Sequence, residues 1–176
     1  HSTLEVSGAR QVGKTYLVNK FADREYKRKI YVNLLELSGE ILVSHYRDLI
    51  QDMKQGERYE NPVYELIKRY DPTFVDDSDT VVIIDEIQES VDIYNRIREF
   101  TRNLACDFII TGSYRGRILN DDFKYSAGDL DAIDIQTLSF EEFLMALGKE
   151  KLYQQLDLYG NSSENTYREL EELYHI

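Results

Sequence analysis

Cysteine, proline and long apolar runs are all scarce in this chain, and these scarcities narrow the class of protein. The 176 residues include one cysteine and two prolines. With Cys106 alone, no disulfide can form within the chain, which fits a reducing compartment. No apolar run approaches the ~20 residues of a membrane span, and the first residues lack the apolar segment of a signal peptide. We therefore expect a cytoplasmic protein with no membrane-embedded part.

Basic residues are also outnumbered. The chain has 21 lysines and arginines against 33 aspartates and glutamates, and its formal net charge is −12. An acidic surface repels polyanions, which argues against strong non-specific binding of nucleic acid. The length predicts one domain, with the start of a second.

The segment from Gly8 to Thr15 reads Gly-Ala-Arg-Gln-Val-Gly-Lys-Thr and fits the phosphate-binding pattern G-x-x-x-x-G-K-[ST]. A β-prone segment precedes it and helical spacing follows it, so the order strand, loop, helix is met. Glycines let several backbone N–H groups point at one anion, and the following helix adds the positive end of its dipole. Lys14 is predicted to contact the β- and γ-phosphates, and Thr15 to ligate Mg²⁺. The predicted nucleotide-binding residues are Gly8, Ala9, Arg10, Gln11, Val12, Gly13, Lys14, Thr15 and Tyr16.

A second acidic element completes this prediction. The β-branched run from Thr80 to Ile84 is typical of a strand buried on both faces, and it ends in Asp85 and Glu86. We expect Asp85 to hold Mg²⁺ and Glu86 to polarise the water that attacks the γ-phosphate. A glutamate directly after the aspartate favours water as the acceptor of the γ-phosphate, and therefore hydrolysis over a kinase reaction. The guanine-reading pattern Asn-Lys-x-Asp is absent, which argues against a GTPase.

The next strand candidate ends in Thr111-Gly112-Ser113. Either Ser113 or Thr111 could contact the γ-phosphate or the attacking water, and a plain turn at the strand end is the alternative. Gln88 could reach the same water or lie at the surface as the first residue of a helix.

Three further side chains have open roles. Asn33, late in the second strand candidate, could hold Glu86 inactive, or it could be an ordinary polar residue at a strand end. Arg115 and Arg117 are weaker candidates for stabilising the transition-state charge, with solvated surface arginines as the alternative.

The remaining chain alternates strands with helices. Asn61-Pro62 predicts a helix start, and Ser139 with Glu142 predicts a capping box. One helix is expected after Ser90, and the last strand is expected over residues 130–138. Five alternating strands predict the α/β class: a three-layer α/β/α P-loop NTPase fold around a parallel sheet.

Several short segments together resemble a known family, the prokaryotic AAA+-like ATPases of the AAA_14 type. The segments are Gly8 to Thr15, Tyr31-Val32-Asn33-Leu34, Ile84-Asp85-Glu86-Ile87-Gln88, Ile110-Thr111-Gly112-Ser113-Tyr114 and Leu138-Ser139-Phe140-Glu141-Glu142-Phe143. The resemblance implies an ASCE-type sheet in which the strand before Asp85 is not adjacent to the strand before the loop. It also implies ATP or ADP with Mg²⁺, and Lys14, Thr15, Asp85 and Glu86 in the roles above.

The resemblance further implies a domain organisation. Residues 1–148 would be the ATPase core, and residues 149–176 would begin a helical lid or following domain. Members usually continue into a winged-helix-like region and a C-terminal domain similar to restriction-endonuclease folds. The arginine that AAA+ proteins often carry in the lid has no clear counterpart here. A protein partner, or self-association through the further domains, is also implied.

Two functions therefore remain open from the sequence. The first is Mg²⁺-dependent ATP hydrolysis that drives conformational change in attached domains. The second is a nucleotide-dependent switch, a binding module with negligible turnover.

Overall fold

The computed structural model describes residues 3–113, 130–155 and 164–173. The chain divides into two compact units, residues 1–136 and residues 137–176. The first unit carries the sheet and the phosphate-loop segment, and the described part of the second is helical. Among the described residues, no helix combines the length and the apolar character that crossing a bilayer requires.

Five parallel strands form one sheet, in the spatial order β2-β3-β4-β1-β5. The strands are β1 (Thr3–Gly8), β2 (Arg28–Asn33), β3 (Thr80–Asp85), β4 (Asp107–Gly112) and β5 (Leu130–Ile135). Strand β4 lies between β1 and β3, so the strand before the phosphate loop and the strand that ends at Asp85 are not neighbours. This order confirms the expected α/β class and its five-stranded parallel sheet.

Helices connect the first four of these strands. They are α1 (Lys14–Glu25), α2 (Leu37–Lys54), α3 (Pro62–Tyr70), α4 (Val91–Asn95) and α5 (Ile97–Asn103). Helix α3 begins as predicted, because the Asn61 side chain accepts hydrogen bonds from the N–H groups of Val63 and Tyr64, at 3.1 Å and 3.0 Å. Pro62 occupies the first helical position, where no backbone donor is needed.

The expectation of one continuous helix after Ser90 is wrong. Ser90 does cap α4, through a bond from the Ile93 N–H group at 3.3 Å. At Arg96, however, the backbone has φ −99° and ψ −2°, and its N–H group bonds to the Ile93 carbonyl oxygen at 3.0 Å. A bond three residues back tightens the turn and separates α4 from α5. The apolar stripe survives the break, because Ile97 and Phe100 remain buried.

Both faces of the sheet are covered. Along β3, Val82 and Ile84 join a large cluster with side chains from α2, α3, α4 and α5. Val81 and Ile83 face the opposite way and join a smaller cluster with Val18 of α1. All four β3 side chains are fully buried, as the β-branched run predicts. The three-layer arrangement is therefore confirmed.

The last strand is shorter than expected. It ends at Ile135 rather than at residue 138. Its partner is β1, whose last residue Gly8 pairs with Ile135. Beyond that point β1 becomes the phosphate loop, so residues 136–138 lose the neighbour that would continue the ladder.

The second unit contains α6 (Phe140–Ala146), α7 (Glu150–Gln155) and α8 (Glu164–Leu173). The capping box at the start of α6 is present: the Ser139 N–H group donates to the Glu142 carboxylate at 2.7 Å, and the Glu142 N–H group donates to Ser139 Oγ at 3.2 Å. The Thr166 hydroxyl of α8 donates to Gln155 at 3.4 Å. The division into an ATPase core of residues 1–148 and a following segment remains a prediction.

Candidate functional site

The phosphate-loop segment joins β1 to α1 with a backbone that needs its glycines. Gly8 has φ +143° and Gly13 has φ +89°, conformations that side chains with a Cβ rarely adopt. A Cβ at Gly8 would lie 2.2 Å from the carbonyl oxygen of Ile135 in β5. Gln11, at φ +65°, also takes a left-handed conformation. The chain therefore curls tightly between the strand and the helix, as the motif requires.

Helix α1 starts at Lys14 with features that suit an anion. Within the described part of the chain, no side chain caps its N-terminus and no acidic residue lies in its first turn. Its first N–H groups have no partner within the helix, and they lie at the positive end of its dipole. Such an end favours a phosphate group.

Lys14 points into the loop rather than into solvent. It is 7% exposed, and its Nζ donates to the carbonyl oxygens of Gly8 at 3.1 Å and Ala9 at 2.7 Å. The structure thus places a positive charge inside the curled backbone. The neighbouring side chains of Arg10, Gln11 and Tyr16 are exposed.

Asp85 forms the centre of a hydrogen-bond cluster at the end of β3 and is only 2% exposed. Its Oδ2 accepts from the hydroxyls of Thr15, at 2.8 Å, and Tyr31, at 2.7 Å. Its Oδ1 accepts from the N–H group of Glu86, at 3.0 Å, and from the hydroxyl of Thr111. The fold therefore brings together Thr15 and Asp85, the two residues that the sequence predicts as magnesium ligands.

Tyr31 is a member of this cluster to which the sequence assigned no role. It lies on β2, and burial together with its hydrogen bond to Asp85 raises the pKa of its hydroxyl well above the usual range. Asp85 lies in register with Asn33, which is two residues beyond Tyr31 on β2. A phenol is long enough to span that offset and reach the Asp85 carboxylate. Finding it required the strand order, which places β2 beside β3.

Glu86 follows Asp85 in a conformation uncommon for a residue with a side chain, with φ 56° and ψ 44°. Its carboxylate accepts a hydrogen bond from Gln88 Nε2. The oxygen of the same Gln88 amide accepts from the Ser113 N–H group at 3.2 Å. Gln88 thus bridges the ends of β3 and β4, and it holds the predicted water activator.

Asn33 makes different contacts. Its Oδ1 accepts from the Leu35 N–H group at 2.9 Å, and its Nδ2 donates to Glu36 at 3.1 Å. The side chain that donates a hydrogen bond to the Glu86 carboxylate is Gln88.

The two predicted γ-phosphate contacts differ in their surroundings. Thr111 is fully buried and its hydroxyl is bonded to Asp85, whereas Ser113 is half-buried at the end of β4. Arg115 and Arg117 lie outside the described residues, so their predicted role stays a prediction.

The oxygen donors of Thr15 and Asp85 are the ligand type that Mg²⁺ prefers. Over residues 3–113, 130–155 and 164–173, no group of three or more His, Cys, Asp or Glu side chains could hold a metal.

The sheet order and the loop between β1 and α1 define an α/β domain of the P-loop NTPase type. The chain belongs to the AAA_14 family, described as an AAA domain, whose family model matches residues 1–144. This membership supports a nucleotide-binding, ATPase-like function.

Two solved structures are similar to the chain. One is the Aeropyrum pernix ORC2 protein in its ADPNP-ADP complexes, with 15% identity and a TM-score of 0.47 over 85% of this chain and 45% of that chain. The other is Drosophila ORC bound to GC-rich DNA and Cdc6, with 12% identity and a TM-score of 0.44 over 99% of this chain and 71% of that chain. This chain spans less than half of the first structure. Among curated proteins, no sequence matches it significantly.

Proposed function

We propose that this chain binds ATP with Mg²⁺ at the loop between β1 and α1 and hydrolyses it. The observation that carries the proposal is the contact between Thr15 and Asp85, which lie 70 residues apart in sequence and meet at 2.8 Å beside the loop. A turn that merely joins a strand to a helix has no need of this contact.

Lys14 and the first N–H groups of α1 would bind the phosphates. The ammonium group now bonds to two loop carbonyls, so it can turn from neutral acceptors to charged ones without leaving the loop. A phosphate oxygen carries negative charge and a carbonyl oxygen carries none, so Coulomb attraction to the ammonium favours that exchange.

Thr15 and Asp85 would hold the metal. The Thr15 proton is directed at Asp85, so the lone pairs of its oxygen remain for a cation. When bound, Mg²⁺ neutralises part of the phosphate charge. Asp85, with four donors of its own, suits a contact made through water.

Glu86 would orient and deprotonate the attacking water, with Ser113 as the γ-phosphate contact. Thr111 is less suited to that contact because its hydroxyl is already used by Asp85. Arg115 or Arg117, which lie outside the described residues, would stabilise the charge of the transition state. We further propose that the cycle drives conformational change in attached domains, with an unidentified protein or a second copy as partner.

A specific observation favours the second candidate, a nucleotide-dependent switch with little turnover. Gln88 already donates to the Glu86 carboxylate, so the bonded oxygen is not free to accept a hydrogen bond from water. If this bond is a restraint, Gln88→Leu speeds hydrolysis of bound ATP. If it serves to position Glu86, the same change slows hydrolysis.

The test is single-turnover hydrolysis of ATP by the wild-type chain and by Glu86→Gln, alongside the rate of ADP release. An ATPase predicts that Glu86→Gln retains ATP binding and loses about 100-fold or more in the hydrolysis rate, because a general base contributes on that order. Undiminished turnover in Glu86→Gln would remove the water-activator role. The switch predicts that the wild-type chain leaves bound ATP intact and that, once loaded with ADP, it retains the ADP tightly.

A further inference from the structure

Tyr31 contributes a hydrogen bond to Asp85 that the phosphate-loop pattern does not include. We propose that Tyr31 is a positioning residue of the magnesium site, whose hydroxyl holds the Asp85 carboxylate in the orientation that meets Thr15. This inference rests on the proposed function, because it assigns a role at the same site. It names a third side chain on which the metal affinity depends.

The two oxygens of Asp85 are held by different groups. Oδ1 is fixed by the Glu86 N–H group and the Thr111 hydroxyl. Oδ2 accepts from Tyr31, at 2.7 Å, and from Thr15, at 2.8 Å. Thr15 is itself a predicted metal ligand, so Tyr31 supplies the Oδ2 bond that does not depend on the ligand set.

The Tyr31 ring is anchored independently of the site. The ring packs against the apolar cluster beneath α1, which includes Val18 and Ala22. The backbone carbonyl oxygen of Tyr31 also accepts a hydrogen bond from the Tyr70 hydroxyl at 3.3 Å. A phenol held in this way presents its hydroxyl at a fixed position.

Removing the hydroxyl takes away one of the two hydrogen bonds to Asp85 Oδ2 and leaves the bond from Thr15. Groups that orient metal ligands typically contribute 10–100-fold to metal affinity. For Tyr31→Phe we expect the benefit that Mg²⁺ gives to ADP binding to fall by about tenfold, the lower end of that range, because Asp85 keeps its other donors. Affinity for ADP without metal should be unchanged, since the proposed role of Tyr31 acts through the metal site.

The chain offers a matched control in Tyr26. Its hydroxyl donates to Asp107 Oδ2 at 2.8 Å, and its ring packs against the same apolar cluster. Burial and the contact with Asp107 raise its pKa to about 12. Asp107, however, begins β4, so it lies at the end of the sheet opposite to Asp85. Tyr26→Phe removes the same kind of bond without touching the proposed site.

The experiment measures ADP affinity by calorimetry, in excess MgCl₂ and in EDTA, for the wild-type chain, Tyr31→Phe and Tyr26→Phe. The quantity compared is the dissociation constant of ADP in EDTA divided by its dissociation constant in MgCl₂. Support requires that the ratio falls about tenfold in Tyr31→Phe and stays at the wild-type value in Tyr26→Phe. An unchanged ratio in Tyr31→Phe, or an equal fall in both variants, overturns the role of Tyr31 and leaves the proposed function standing.

A wild-type chain that binds no ADP, or binds it equally well in both solutions, overturns the proposed site and this inference with it. Circular dichroism checks that each variant is folded at the assay temperature. If Tyr31→Phe is not folded at that temperature, its melting temperature is measured with and without ADP, once in MgCl₂ and once in EDTA. The role of Tyr31 predicts that MgCl₂ adds less to the increase caused by ADP in Tyr31→Phe than in Tyr26→Phe, and an equal addition contradicts it.

Discussion

Replacing Gly8 by alanine tests how strictly the phosphate loop depends on the neighbouring strand. Two penalties act at this position. Gly8 has φ +143°, where an L-residue is strained by about 2 kcal/mol. A Cβ would also lie 2.2 Å from the Ile135 carbonyl oxygen, a backbone atom of the adjacent strand that cannot rotate away.

The second penalty can be isolated with Gly56, at the end of α2. Gly56 also has a positive φ, +104°, but a Cβ there would meet no atom within 4 Å. Gly56→Ala therefore carries only the conformational strain, about 2 kcal/mol. Gly8→Ala adds about 2 kcal/mol for displacing β5, in the range found for overpacked cores, which makes about 4 kcal/mol in total.

The assay is urea denaturation of both variants, followed by circular dichroism. We expect the free energy of unfolding to fall about twice as far in Gly8→Ala as in Gly56→Ala. Equal losses in the two variants would refute the reasoning, because they would mean that β5 does not close against Gly8.

Three further predictions follow from burial and capping. Asn61→Ala should lower the free energy of unfolding by about 1–2 kcal/mol in urea titrations, since it removes a helix cap and a bond to the Asn103 carbonyl oxygen. Burial raises the pKa of Cys106 to about 12, so at pH 8 its thiol should react with Ellman's reagent only as fast as the chain unfolds; immediate labelling would contradict its burial. Because the pKa values of Cys106 and Tyr26 are raised in the fold, the unfolded chain loses these protons first. The free energy of unfolding should therefore fall between about pH 9 and pH 12 in alkaline denaturation.

Local patterns predicted the elements whose cause is local. The Asn61 cap and the Ser139–Glu142 capping box depend on residues two or three positions apart, and both form. The buried run before Asp85 also needs no distant information, because its composition already indicates a strand covered on both faces. The order strand, loop, helix around Lys14 is equally local.

Features that depend on neighbouring strands could not be predicted in the same way. Tyr31 reaches Asp85 because β2 lies beside β3, and Gln88 reaches Ser113 because β3 lies beside β4. The end of β5 at Ile135 is set by where β1 ends, and its own sequence carries no signal for it. In each case the deciding partner is remote in sequence.

The most direct test of the central claim is ATP binding by Lys14→Ala in excess MgCl₂, measured by calorimetry against the wild-type chain. Lys27→Ala is the control, because the exposed Lys27 precedes β2 at the opposite end of the sheet, where its ammonium bonds to Asp79 at 2.6 Å. We expect Lys14→Ala to weaken ATP binding by at least about tenfold, as for losing a charge-assisted bond to phosphate, while Lys27→Ala binds as the wild type does. A folded Lys14→Ala chain that binds ATP with unchanged affinity would contradict that claim.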